Sequence, residues 1–271
     1  MSEFLLPTLG PHSYKAPVRK IDGFSSYLLL ADIEPQRGRI TRGYVKTYPP
    51  GSRGLVNEII KWLVATALHQ PQPPEAYVLL MHVDVLASYW PHINWAEHTD
   101  CEMYPSFCSV AIDGLTPKTS HAALRLDALI NDLMQWDKLF AAIAMHEFLA
   151  DADANLSNLV RLGKGRWAIL DGGQILGGHQ WTPATLKTLD WIHNKLLHLL
   201  YPTGQPPDDA KQQIVASSRQ HNHALEAAMP YIMHWLIALC GIDDAAAAKQ
   251  TLNRRACPHW MARRFGLKTE P

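Results

Sequence analysis

Ala150-Asp151-Ala152-Asp153-Ala154-Asn155-Leu156-Ser157-Asn158 is the stretch on which the reading turns, and Ile169-Leu170-Asp171-Gly172-Gly173 follows it closely. Asp153 stands five residues before Asn158, and Asp171 leaves an apolar run directly into a flexible glycine pair. A carboxylate can take the proton of an attacking hydroxyl, and Asp and Asn oxygens suit a hard divalent cation. Between them, residues 159–162 and 168–170 flank a turn at 163–165, which predicts a short hairpin. Taken singly, each piece is an ordinary helix end or turn. Their joint order carries the information.

Working outward toward the N-terminus, residues 27–33 (YLLLADI) read as a strand, 34–38 as a turn and 39–48 as a second strand, a hairpin ended by Pro49, Pro50 and Gly51. Residues 55–68 repeat apolar side chains at helical spacing, and 76–83 form a short apolar run between breakers that suits a buried strand. Lys46 lies near the end of the second strand, and Glu58 sits twelve residues on at the edge of the helical stripe, where the two could pair. Residues 90–117 read as loop-rich and 120–149 as largely helical. Beyond Pro183, helix-forming runs cover 184–200, 208–239 and 243–254. A small sheet-containing lobe, residues 1–83, thus precedes a mostly helical one, residues 84–271.

Composition narrows the function classes. The 271 residues carry 25 basic and 25 acidic side chains, so no overall basic field draws the chain to nucleic acid or an anionic membrane. No apolar run approaches the roughly twenty residues of a membrane helix, and the first ten residues lack the order of a signal peptide. A cytoplasmic location is expected. Cys101, Cys108, Cys240 and Cys257 are scattered, so free thiols are the default. The grouping of His92, His98, Asp100, Cys101 and Cys108 lacks zinc spacing. Neither a Gly-x-Ser-x-Gly elbow nor a Gly-x-x-x-x-Gly-Lys-Ser/Thr loop occurs.

A lysine on a strand, a glutamate on the next helix, Asp with Asn five residues on, and Asp-Gly after a strand follow one another in the order used for phosphoryl transfer. In these residues the chain resembles the HipA-like kinases and, more distantly, the phosphoinositide kinases, over about residues 23–178. The resemblance implies an α+β, bilobal protein-kinase-like fold with the nucleotide between the lobes, and ATP and Mg2+ as cofactors. It implies that Lys46 binds phosphate, Glu58 orients it, Asp153 is the base, and Asn158 and Asp171 hold magnesium. Gly23, Ser25 and Ser26, ahead of the first strand, match the family's phosphate loop, where regulatory serines occur.

The implied activity is phosphorylation of a protein Ser or Thr hydroxyl, with a toxin or stress-response role and an antitoxin or regulatory partner following from the resemblance alone. A small-molecule or lipid kinase would use the same residues. Ala154-Asn155 stands where the family has Arg-His, and Gly172-Gly173 follows the metal aspartate. Those departures motivate a third reading, a nucleotide-binding pseudokinase acting as an interaction module.

Overall fold

The alternation read in residues 27–33 is realised as burial of Leu29, Ala31 and Ile33 on one face of a strand that runs on to Gln36. The computed structural model describes residues 6–21, 26–116 and 125–268. The strand belongs to a sheet of β1 (Thr8–Leu9), β2 (Tyr14–Ile21), β3 (Tyr27–Gln36), β4 (Arg39–Thr47), β5 (Ala76–His82) and β6 (Met103–Val110). Their order is β1-β5-β6-β4-β3-β2, with β1 parallel to β5 and every other pair antiparallel. The expected β3–β4 hairpin is present, with Tyr27 opposite Thr47 and Ile33 opposite Thr41. Gly43 is needed on β4, because a Cβ there would lie 2.8 Å from the Cys108 sulfur and 3.0 Å from Ile33 Cδ1.

Three expectations are corrected here. Residues 90–117 are not merely loop: β6 lies inside the sheet, between β5 and β4. Pro105 argues against a strand, yet the β4 ladder covers only Phe107 to Val110, so the missing N–H of Pro105 interrupts nothing on that side. Strands β1 and β2 have no counterpart in the sequence reading. The helical runs read at 120–149, 184–200 and 208–239 are each divided into two helices among the described residues, whereas that at 243–254 is one helix, Ile242–Ala256.

The chain separates into two compact units, one of Leu5–Leu55 with Pro73–Ile112, the other of Val56–Gln72 with Asp113–Pro271. The sheet and α2 (Val83–Tyr89) make up the first, whose core gathers Leu29, Ile33, Leu79, Met81, Trp90 and Trp95. The helix α1 (Gly54–Ala67) follows β4 and belongs to the second unit from Val56 on. That unit continues with α3 (Leu126–Leu133), α4 (Leu139–Leu149) and the hairpin β7 (Leu159–Gly163) with β8 (Arg166–Ile169). It ends in α5 (Pro183–Thr188), α6 (Lys195–Leu200), α7 (Asp208–Ser218), α8 (His221–Cys240), α9 (Ile242–Ala256) and α10 (Pro258–Arg264). Among the described residues no helix is long and apolar enough to cross a membrane.

Residues 142–149 of α4 are all buried, so this helix is the second unit's central element. Asp132 of α3 ties the far end of the β7–β8 hairpin. It accepts from Arg161 Nε at 2.9 Å and Nη2 at 3.0 Å, and from the Gly165 N–H at 3.1 Å. The Arg161 guanidinium holds the Asp132 carboxyl below the usual carboxylate range.

Candidate functional site

The helix α4 stops because Ala150 turns left-handed, at φ 51° and ψ 52°. That conformation strains an L-residue, and such strain collects where a loop must be held in one shape. Three backbone bonds hold it: Leu176 N to Leu149 O at 2.8 Å, Gly177 N to Ala150 O at 2.9 Å, and Ala152 N to Gln174 O at 3.0 Å. Asp151 is 2% exposed and acts as an internal strut, with Oδ2 2.9 Å from His146 Nδ1 and Oδ1 accepting the Asp153 N–H at 3.0 Å.

Asp153 itself is partly exposed. Its Oδ1 accepts from Asn155 Nδ2 at 2.9 Å and from Lys195 Nζ at 2.5 Å, whereas Oδ2 has, among the described residues, only Asn158 Nδ2 at 3.4 Å. One carboxylate oxygen is therefore anchored and the other is left for an incoming donor. Asn158 Nδ2 also donates to the Asp153 carbonyl at 2.7 Å. With its nitrogen committed to that carbonyl, the amide oxygen is the end left for a cation.

The β7–β8 hairpin brings the second acid to the same place. Leu159 pairs with Ile169, and one step outward Leu170 N donates to Asn158 O at 2.9 Å, so Asn158 and Asp171 emerge at one end of the hairpin. Asp171 Oδ1 accepts the Gly173 N–H at 3.0 Å, which turns the chain immediately after the acid. An amide oxygen and a carboxylate are the donor types that suit a magnesium ion, and the hairpin carries Asn158 and Asp171 on neighbouring stretches of backbone.

The sequence reading named Glu58 of α1 but not its neighbours Asn57 and Lys61, which belong to the same part of the site. Asn57, Glu58 and Lys61 are each 1% exposed or less, on a helix buried nearly all round. Buried polar groups need partners, and these find them on the chain to either side of Asp171. Glu58 Oε2 accepts the Gly172 N–H at 3.0 Å, and Lys61 Nζ donates to Leu170 O at 3.2 Å. Asn57 Nδ2 is ringed by the carbonyls of Gly173 at 2.9 Å, Ile175 at 3.1 Å and Gly178 at 2.9 Å, while its Oδ1 accepts from Trp181 Nε1 at 2.9 Å. Gly172 leaves room for this clamp: a Cβ there would sit 2.6 Å from Lys61 Cβ. Three polar residues in an otherwise apolar helix were the signal that could have revealed it.

The structure thus brings Asp153, Asn158 and Asp171 together and seats Glu58 against Gly172. Lys46 lies in the first unit, buried on β4 opposite Leu28 and Phe107. Ser26 forms the bend just before β3, whereas Gly23 and Ser25 lie outside the described residues. Lys195 was missed, and nothing local in the sequence marks it, since it reaches Asp153 from 42 positions away. It arrives because Asn194 Oδ1 caps α6 through the Leu197 N–H at 3.0 Å and Leu196 N bonds to Ala154 O at 2.6 Å.

No protein-family model and no curated protein sequence matches the chain. Among solved structures, the crystal structure of the Helicobacter pylori proinflammatory kinase CtkA is similar, with a TM-score of 0.55. The match covers 96% of this chain and 99% of that chain, at 10% sequence identity. The fold is therefore a kinase-like α+β fold, with a six-stranded sheet in the N-terminal half and a mostly helical C-terminal part.

Proposed function

We propose that this protein is an ATP- and Mg2+-dependent phosphotransferase of HipA-like type that phosphorylates a Ser or Thr hydroxyl of a protein. The observation that carries the reading is the orientation of Asn158: its nitrogen is held by the Asp153 carbonyl, which leaves its amide oxygen for a cation, at the end of the β7–β8 hairpin from which Asp171 also emerges. The kinase-like fold supports it by analogy.

In this reading Asp153 orients the acceptor hydroxyl through Oδ2 and takes its proton, as the acceptor oxygen bonds to the γ-phosphorus and the β–γ bridging bond breaks to release ADP. Lys195 and Asn155 hold Oδ1, so the carboxylate cannot rotate away from the acceptor. Asn158 and Asp171 would hold magnesium, which neutralises phosphate charge. Lys46 is assigned to the nucleotide phosphates on the sequence pattern. Glu58 and Asn57 fix the chain after Asp171 and Lys61 the carbonyl just before it, and so they set where that carboxylate stands.

The test is incubation with γ-labelled ATP, Mg2+ and a bacterial lysate, followed by mass spectrometry of labelled proteins. Label on Ser or Thr that needs Mg2+ and disappears with Asp153→Asn supports the reading. Label confined to lipid or small molecules changes the acceptor class, and ATP binding without transfer sinks the enzyme and leaves the pseudokinase.

A further inference from the structure

The residues from 245 to 268 contain no acid, yet they hold Lys249, Arg254, Arg255, Arg263, Arg264 and Lys268, in a chain whose net charge is zero. These cations divide into two groups with different surroundings. Arg255 is fully buried, donating from Nε to Phe148 O at 2.9 Å and from Nη2 to Glu147 O at 2.5 Å, and Arg264 Nε meets Glu147 Oε2 at 3.0 Å. Burial pushes the Arg255 guanidinium down to about 10. Both side chains are taken up in holding the last turn of α4, at the root of the Ala150–Asn158 loop.

Their sequence neighbours, Arg254 and Arg263, line a cleft of about 880 Å3 together with His259, Lys268 and the thiol of Cys257. Among the described residues no carboxylate lines it. Arg254 is fixed by neutral groups, donating to the carbonyls of Lys187 at 3.1 Å, Leu186 at 3.2 Å and Leu189 at 2.6 Å. Its charge is positioned without being neutralised. Arg263 is 66% exposed and forms a loose ion pair with Asp190 Oδ1 at 3.7 Å, a carboxylate that also accepts from Trp260 Nε1 at 3.2 Å.

A concave site of this volume is the size that takes a small ligand or a single side chain with its flanks. Two arginines and a lysine in its lining match an oxyanion with several acceptor oxygens. A nucleic acid would call instead for cations spread along a track. We propose that this cleft is a second site, outside the transfer machinery, that binds a phosphomonoester dianion. Phosphoserine in a protein and free phosphate present that same chemistry.

Isothermal titration of the full chain decides the matter, using a phosphoserine peptide, the same peptide unphosphorylated, inorganic phosphate and a single-stranded oligonucleotide. Saturable one-to-one binding of a phosphorylated ligand is expected, with none for the unphosphorylated peptide. A peptide tighter than phosphate identifies a phosphoprotein as the source, and equal affinities identify a small anion. An Arg263→Glu, Lys268→Glu variant, altered only at exposed positions, should weaken binding by about tenfold for each cation replaced. Absence of saturable binding, unchanged affinity in that variant, or tighter binding of the oligonucleotide overturns the proposal. None of these readouts depends on phosphoryl transfer.

Discussion

Lys195 Nζ stands 2.5 Å from Asp153 Oδ1, although the loop that carries Asp153 contains no cation of its own between Ala150 and Asn158. The pair is partly exposed, at 47% and 38%, so its share in stability is small, about 0–1 kcal/mol. Its effect on the geometry of the carboxylate is of a different kind, because a fixed charge beside the proposed base would act where charge develops.

Lys195→Met is therefore expected to leave the melting temperature nearly unchanged while lowering turnover by roughly tenfold or more. Lys195→Arg should restore part of it, since a guanidinium can reach the same oxygen. Steady-state kinetics on the two variants checks this, and wild-type turnover in Lys195→Met would remove the lysine from the mechanism.

Asp153 and Asp151 should separate cleanly. Asp153→Asn is expected to lose turnover by about a hundredfold or more with little change in stability. Asp151→Ala strands buried His146 and the Asp153 N–H, and should cost about 3 kcal/mol in urea denaturation. Equal stability losses in the two variants would refute the division of labour.

Asp171→Asn changes charge but hardly volume, so the fold should persist while Mg2+-dependent transfer is abolished. Circular dichroism and a magnesium titration of activity measure both halves. A folded variant with wild-type turnover would sink the metal assignment.

The clamp from α1 predicts a structural cost. Asn57→Leu leaves the Gly173, Ile175 and Gly178 carbonyls and the Trp181 N–H without their amide, a loss of about 3 kcal/mol or more by orphaned-group costs. Gly172→Ala forces a Cβ against Lys61 and should cost about 1–3 kcal/mol through overpacking. Denaturation midpoints decide, and a variant as stable as wild type would show the clamp to be dispensable.

His221 makes a prediction about pH. It is buried against the ring of Phe148, with centroids 4.8 Å apart, and burial pushes its pKa down from 6.5 to about 3. Folding thus favours the neutral ring. Its contribution is fully present above pH 6.5, and it is lost as pH falls from 6.5 toward 3, because the unfolded chain takes up a proton that the folded chain refuses. The slope is about 1.4 kcal/mol per pH unit. His221 Nδ1 has no hydrogen-bond partner among the described residues, so an apolar replacement is tolerable. In His221→Leu the decline between about pH 6 and 4 should be shallower by that amount, and an unchanged slope would contradict it.

Much of the fold was legible where the determining forces are local. Leu29, Ala31 and Ile33 alternate, so β3 could be read from its own residues; the breakers at Pro49, Pro50 and Gly51 end β4, and apolar spacing marks α1. The β7–β8 hairpin and the five-residue step from Asp153 to Asn158 are likewise short-range, and they preserve their meaning in the folded chain. The interval 184–200 misled, because its residues favour helix throughout. The chain nevertheless leaves α5 at Thr188 and restarts at Asn194, where Leu196 bonds to Ala154. Strand β6 was missed because residues 90–117 show no clear hydrophobic period, and its place is set by pairing with β5 and β4, which are distant in sequence.

By itself, then, the sequence determined the order of the elements that hold the proposed site, and the spacing of Asp153, Asn158 and Asp171, because hydrophobic period and turn residues act over a few positions. Only the tertiary structure decided that Lys195 meets Asp153, that Asn57, Glu58 and Lys61 grip the chain on either side of Asp171, and that Arg254 and Arg263 share a cleft. Most of those relations join residues tens to more than a hundred positions apart. A buried polar group must find a partner, but which one it finds is set by how the elements pack, and packing is a property of the whole chain.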